Sequence, residues 1–273
     1  MKKRRYKLRW KNVFLILLFF ILLGIFVTCF NKVLRWTIDN KKSEQIMEDT
    51  YKLVEVKEET FEDEEKQEDE ERVPETDPYW DFVNTSFLTV DLSSLREKNK
   101  DIIAWIKVNN TNINYPVVQY RDNDYYLTHD LYKNNNGGGW VFLDYRNNND
   151  FNNKNSIIYA HGRKNKTMFG TLLNILNEDW YQNKDNYVIK TSSINNSYVW
   201  QVFSVYKIEN TNDYIKTNFI DDSEYQAFLD LIQERSIYNF NTNVSINNKI
   251  LTLSTCYDDN YKVVLHAKLI KSY

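Results

Sequence analysis

Residues 249–270 read KILTLSTCYDDNYKVVLHAKLI. Two runs of apolar and β-branched residues, KILTLSTC (249–256) and KVVLHAKLI (262–270), flank a short acidic turn, which is the pattern of two strands. Strand alternation puts Thr252, Ser254 and Cys256 on one face of the first run and Leu251, Leu253 and Thr255 on the other. Upstream the same kind of run recurs in NYPVVQY (114–120), GWVFLDY (139–145), NSIIYAHG (155–162), NYVIKT (186–191) and YVWQVFSVYKI (198–208), each bounded by Asn, Asp or Gly. Helix is expected over Asp91–Ile106, with Asp91 as its cap, over the short stretch Thr167–Leu176, and over Ser223–Arg235. The last of these opens on a Ser cap and carries Tyr225, Phe228, Leu229 and Ile232 at helical spacing. Many strands and few helices predict a mainly β fold, a barrel or a sandwich decorated by helices.

Composition sets the outer limits. The chain has 273 residues, and its twenty Tyr, fifteen Phe and seven Trp supply enough core material to exclude a wholly disordered protein. Six Gly and three Pro exclude collagen-like or linker-like character. A net charge of −3 argues against a general nucleic-acid binder, and two Cys exclude a disulfide framework.

The charge is unevenly spread. Residues 2–11 carry seven Lys or Arg, and Val13–Phe30 follow with eighteen uncharged residues. Eighteen residues at helical rise span roughly 27 Å, close to a bilayer core. The basic cluster before the apolar run predicts a cytoplasmic amino terminus and an exported remainder. The run is long for a cleaved signal peptide and no small-x-small site follows it, so an uncleaved anchor is expected. Residues 55–77 hold thirteen acids and three bases, a composition that repels itself and reads as a solvated spacer, with Ser43–Val56 upstream a candidate helix. The expected organisation is a basic cytoplasmic segment (1–12), a transmembrane helix (13–30), an acidic extracytoplasmic linker (31–78) and a folded domain (79–273).

Cysteine usage points to chemistry. Cys29 lies in the apolar run, so Cys256 is alone in the exported part, where thiols are normally paired or absent. A lone thiol there is either buried and inert or kept for reactivity. Cys256 ends its strand on the polar face, a poor place for filling a core. A nucleophilic Cys needs a base nearby. His161, at the end of SIIYAHG, is placed to meet it, whereas His129 in YYLTHD and His266 in VVLHAKL read as structural. No close-spaced ligand pair supports a metal, and no cofactor is implied. His161 precedes Cys256, the reverse of the papain order, and no G-x-S-x-G turn supports a serine triad.

These stretches together resemble the sortase family, most of all its class B. The likeness is carried by NKDIIAWIKVNNTNINYPVVQ (99–119), DNDYYLTHD (122–130), VFLD (141–144), SIIYAHG (156–162), MFGTL (168–172), LTLSTC (251–256) and KVVLHAKL (262–269), with the helix at 223–235 similar to the long helix that marks class B. The resemblance implies an eight-stranded sortase-type β-barrel with peripheral helices behind a transmembrane helix. It implies a membrane-anchored cysteine transpeptidase, a thiol peptidase by chemistry, on the outer face of a Gram-positive cell. Cys256 would attack after a Thr in the carboxyl-terminal sorting signal of a secreted protein, and an amine of a peptidoglycan precursor or a pilin would take the acyl group. His161 would be the acid/base partner, with Asn123, Leu127 and Ser254 lining the peptide groove. Where the family carries an Arg after the Cys strand, this chain has Lys262, which keeps the charge and loses the planar fork. Lys262 acting as a weaker substitute, Arg163 reaching in, and slow or lost turnover all remain open, as does a hydrolase that releases its substrate.

Overall fold

The computed structural model describes residues 9–60, 82, 85–256 and 260–273, with Cys256 described by its backbone alone. The basic residues 1–8, most of the acidic run and the turn at 257–259 lie outside the described residues. The chain divides into two units, Met1–Glu44 and Gln45–Tyr273.

The first unit is helical. Helix α1 (Trp10–Leu53) contains the whole apolar run and is long and apolar enough to cross a membrane. Its side chains from Phe14 to Phe30 are largely exposed, as lipid-facing residues would be.

The second unit begins inside α1, before the expected linker ends. Ile46 and Thr50 are buried in it, the Tyr51 hydroxyl donates to the Asn114 carbonyl at 2.8 Å, and the Tyr51 ring lies 5.8 Å from that of Trp105. Burial pushes the Tyr51 hydroxyl up to about 12. Strand β1 (Val56–Glu59) then pairs antiparallel with β2 (Phe87–Val90), from Val56↔Val90 to Glu59↔Phe87. These elements fall inside the span 31–78 that the sequence reads as linker. Residues up to 59 already belong to helix and sheet, and the acidic run connects two paired strands.

A buried lysine explains why an acidic strand settles here. Lys190 is 3% exposed, and its ammonium bonds to Glu58 Oε2 at 2.5 Å and to Ser86 Oγ at 2.8 Å. Lys107 bonds the other Glu58 oxygen. A cation this deep is costly without a paired anion.

Eight strands close into a barrel. In chain order they are β3 (Ile102–Val108), β4 (Asn114–Val118), β5 (Phe142–Leu143), β6 (Asn155–Tyr159), β7 (Val188–Ser193), β8 (Ser197–Glu209), β9 (Ile250–Cys256) and β10 (Tyr261–Ser272). Around the wall the order is β10-β8-β7-β3-β4-β5-β6-β9. All pairs are antiparallel except β4 with β5 and β6 with β9. Helices α2 (Ser93–Lys98), α3 (Glu178–Gln182) and α4 (Asp222–Glu234) lie outside the sheet order.

Two expected helices shrink. The one predicted over Asp91–Ile106 ends at Lys98, because Asn99 turns extended (φ −147°, ψ 110°) and spends its side chain on the Leu131 carbonyl and the Tyr126 hydroxyl. Asp91 still accepts the Ser93 N–H at 2.9 Å, but Ile102–Val108 is strand. Over Thr167–Leu176 only a 3₁₀ turn forms, at Leu172–Leu176. Helix α4 begins one residue early, capped by Asp221 accepting the Glu224 N–H at 2.8 Å instead of by Ser223.

Strands β9 and β10 feed two cores from their two faces. Leu251, Leu253, Val263, Leu265 and Ala267 join the main core. Ile250 and Val264 join a second core with Phe203 and Tyr206 of β8 and with Tyr225, Phe228, Leu229 and Ile232 of α4. The spacing of those four helical residues therefore reports burial against the outer barrel wall.

Glu58 gives a pH test of this packing. Burial opposes its ionisation, but bonds from Lys107 and Lys190 outweigh that and hold its carboxyl down at about 2. The folded state thus binds fewer protons than the unfolded one, and the stabilisation is present above the ordinary value of 4.5 and lost as pH falls toward 2. Urea melts of Glu58→Gln are expected to show a flatter decline of midpoint over that window than the unaltered chain. At pH 7 the variant should be less stable by about 1 kcal/mol, since solvent partly screens the pair.

Candidate active site

Strands β6 and β9 run side by side in parallel, from Asn155↔Ile250 to Tyr159↔Ser254. The Ala160 N–H then donates to the Ser254 carbonyl at 3.4 Å. Two residues beyond the last pair the chain reaches His161, just past the end of β6, and Cys256, the last residue of β9. On its other side Cys256 stands in register with Lys262 of β10, which also pairs with Ile208 of β8. The barrel thus brings His161, Cys256 and Lys262 to one end of three adjacent strands.

A cleft of about 480 Å³ opens at this end. It is lined by Asn123, Leu127, His161, Ser254 and Lys262, five of the six residues singled out from the sequence. The sixth, Cys256, directly follows Thr255, a lining residue, at the end of β9.

The histidine is oriented from behind. His161 Nε2 lies 2.8 Å from the Leu127 carbonyl oxygen, which can only accept, so the partner assigns the proton to Nε2. In the neutral ring Nδ1 is then the basic nitrogen. Leu127 closes a 3₁₀ turn, Tyr125–Leu127, fixed by Asp122 Oδ1 accepting the N–H groups of Asp124 and Tyr125 at 3.0 and 2.8 Å. Stacking braces the same turn: the Tyr125 ring lies 4.4 Å from Tyr120 and 4.0 Å from His129, whose Nδ1 sits 2.8 Å from the Tyr125 carbonyl. His129 is structural, as its setting in the sequence predicts.

His266 is structural as well. It is fully buried, with Nδ1 at 2.9 Å from Thr252 Oγ1 and Nε2 at 2.8 Å from the Tyr206 hydroxyl. Burial, with a smaller push from Arg235, lowers its pKa to about 3.

Two expected peptide contacts already have protein partners. The Ser254 hydroxyl lies 2.9 Å from the Tyr214 hydroxyl. Asn123 donates from Nδ2 to Asp144 at 3.0 Å and accepts the Tyr145 N–H at 3.0 Å. Arg163 lies apart from these residues. It is buried and does not line the cleft, and its guanidinium lies against Gly138, where a Cβ would sit 1.6 Å from Nη1. Among the described residues no cluster of His, Cys, Asp and Glu is arranged to hold a metal ion.

Sequence reasoning missed one wall. Asn210, Thr211, Asn212, Tyr214 and Ile215, from the segment between β8 and α4, line the cleft together with Phe142, Tyr159, Ala160 and Thr255 of the barrel. The available signal was Tyr214–Ile215, an apolar pair inside the polar stretch ENTNDYIKTN (209–218).

Comparison with known proteins agrees with this architecture. Residues 106–270 match the Sortase domain family. Sortase B of Staphylococcus aureus is 38% identical over 182 residues, covering 65% of this chain and 74% of that protein. Sortase B of Listeria monocytogenes is 36% identical over 185 residues, covering 66% and 74%. Among solved structures, a Staphylococcus aureus sortase B–substrate complex superposes with a TM-score of 0.62 at 38% identity, covering 66% of this chain and 84% of that one.

The His266 environment carries a prediction. Its folded pKa lies below the ordinary 6.5, so the stability it confers is complete above that value and drains away as pH falls toward 3. Between pH 7 and 5, above the window in which Glu58 titrates, His266→Gln should show a shallower fall of urea midpoint than the unaltered chain.

Proposed function

Because the chain belongs to the sortase family, in its class B, we propose that it is a membrane-anchored cysteine transpeptidase acting on the sorting signals of secreted proteins. The observation that supports this reading is the parallel pairing of β6 with β9, which leads the chain to His161 just past the one strand and to Cys256 at the end of the other, with His161 lining the cleft.

The chemistry runs in two acyl transfers. The Cys256 thiolate adds to the carbonyl carbon of a Thr in the sorting signal. The C–N bond breaks, a thioester forms, and the imidazolium of His161 gives a proton to the departing amine. An amine of a peptidoglycan precursor or a pilin then adds to the thioester, His161 takes its proton, and the thiolate leaves. With Nε2–H tied to the Leu127 carbonyl, Nδ1 is the nitrogen that moves the proton.

Lys262 faces the charge that develops on the carbonyl oxygen. Its ammonium supplies a point charge where the family uses a planar fork. Leu127 and Ser254 form the groove against which the peptide lies. The helix α1 anchors the chain, with the basic segment on the cytoplasmic side and the catalytic unit outside the cell.

A second reading rests on Lys262: a family member with weakened turnover, or one that passes its acyl group to water. Incubating the chain with quenched peptides that carry Thr at the cleaved position, with and without an added amine, separates these outcomes. A ligated product supports transpeptidation, and free acid alone supports hydrolysis.

Cys256→Ala is expected to abolish cleavage while leaving the circular dichroism spectrum unchanged. Lys262→Ala should cost about 10²–10³ in kcat, the usual toll for losing one oxyanion donor. Lys262→Arg should raise kcat if the fork is what this chain lacks. The transpeptidase reading is abandoned if no peptide is cleaved and a thiol reagent leaves Cys256 unmodified.

A further inference from the structure

A buried polar cluster lies beneath the cleft, and the acyl-transfer chemistry does not use it. Asp144 is fully buried just after β5. Its carboxylate accepts from Arg146 Nε at 2.8 Å, Arg146 Nη2 at 2.7 Å and the Arg146 backbone N–H at 3.0 Å. It also accepts from the Tyr159 hydroxyl at 2.9 Å and from Asn123 Nδ2 at 3.0 Å. Burial opposes ionisation of Asp144, but the bonds from Arg146 and Tyr159 outweigh it and hold the carboxyl below its ordinary range.

The guanidinium reaches further. Arg146 Nη2 donates to the Ile215 carbonyl at 2.9 Å, and the next carbonyl, that of Lys216, accepts from Asn155 Nδ2 at 2.9 Å. Asn123, Tyr159 and Ile215 line the cleft from three separate stretches of chain, whereas Arg146 does not line it. One ion pair therefore gathers three walls. A planar fork is needed for this, because one guanidinium grips the carboxylate with two nitrogens while still donating to a carbonyl. The reactive end is held independently, through the bond from His161 to Leu127.

We propose that Arg146, locked by Asp144, is a positioning residue that sets the wall of residues 210–215 against Asn123 and Tyr159 and so governs peptide capture without touching the peptide. This inference rests on the peptide-processing reading above. Asn123 then acts mainly through Asp144, in place of the direct peptide contact expected from the family.

The test uses the full chain in detergent micelles and the best-cleaved member of a quenched peptide set with Thr at the cleaved position. Arg146→Ala is expected to raise KM about tenfold with kcat changed by less than about twofold, the signature of lost binding in both ground and transition states. Alkylation of Cys256 by iodoacetamide should proceed at an unchanged rate. Arg146→Lys, which keeps the charge opposite Asp144 but cannot also hold Ile215, should raise KM to a smaller extent and decides the matter if the alanine variant does not fold. An unchanged KM in the folded variants overturns the inference, and so does a parallel loss of kcat and of alkylation rate. Absence of turnover by the unaltered chain brings down the peptide-processing reading and this inference together, whereas normal turnover with unmoved KM brings down this inference alone.

Discussion

The arrangement depends on one parallel strand pair. β6 and β9 meet from Asn155↔Ile250 to Tyr159↔Ser254, and parallel neighbours require the chain to travel away and return. The excursion here contains β7, β8 and α4, and it delivers both the missing barrel wall and the segment that closes the cleft. Any slip of one residue in that pairing would exchange the two faces of β9. Leu251 and Leu253 would then point toward the second core, and Ser254 would leave the cleft. The pairing is protected by what each face buries: leucines on one side, and the Thr252–His266–Tyr206 hydrogen-bonded chain on the other.

Much of this was legible in the residues. The runs at 198–208, 249–256 and 262–270 became β8, β9 and β10 nearly residue for residue, since β-branched and aromatic composition between Asn-rich breaks is a strong local signal. Cys256 stood out because it ended the polar face of a strand. His161 stood out because it followed another apolar run, and that run pairs in parallel with the strand that ends at Cys256.

What was not legible is what depends on partners. Ile102–Val108 is buried on both faces, so it shows no alternation to mark it as strand, and the helix signal before it ran on unopposed. The brake was Asn99, whose side chain leaves the local backbone for Leu131 and Tyr126, bonds visible only once those residues are neighbours. The Asp144–Arg146 pair was hidden for the same reason: two charges two residues apart look like an exposed turn until Tyr159, Asn123 and Ile215 converge on them. The acidic run misled in another way. Its charge density predicts solvation, but Glu58, near its start, finds Lys190 and Lys107 and is drawn into the sheet.

That ribbon of β1 and β2 alters what the acidic stretch can contribute. A segment whose two ends are stitched side by side on one sheet begins and ends at neighbouring points, whatever its length. Inserting residues there would leave its two end points where they are, and each doubling of length would cost only about 0.6 kcal/mol in closure entropy. The size and charge of this stretch can therefore vary with little effect on the pairing that brackets it, because the register of β1 with β2 is set by residues on either side of it.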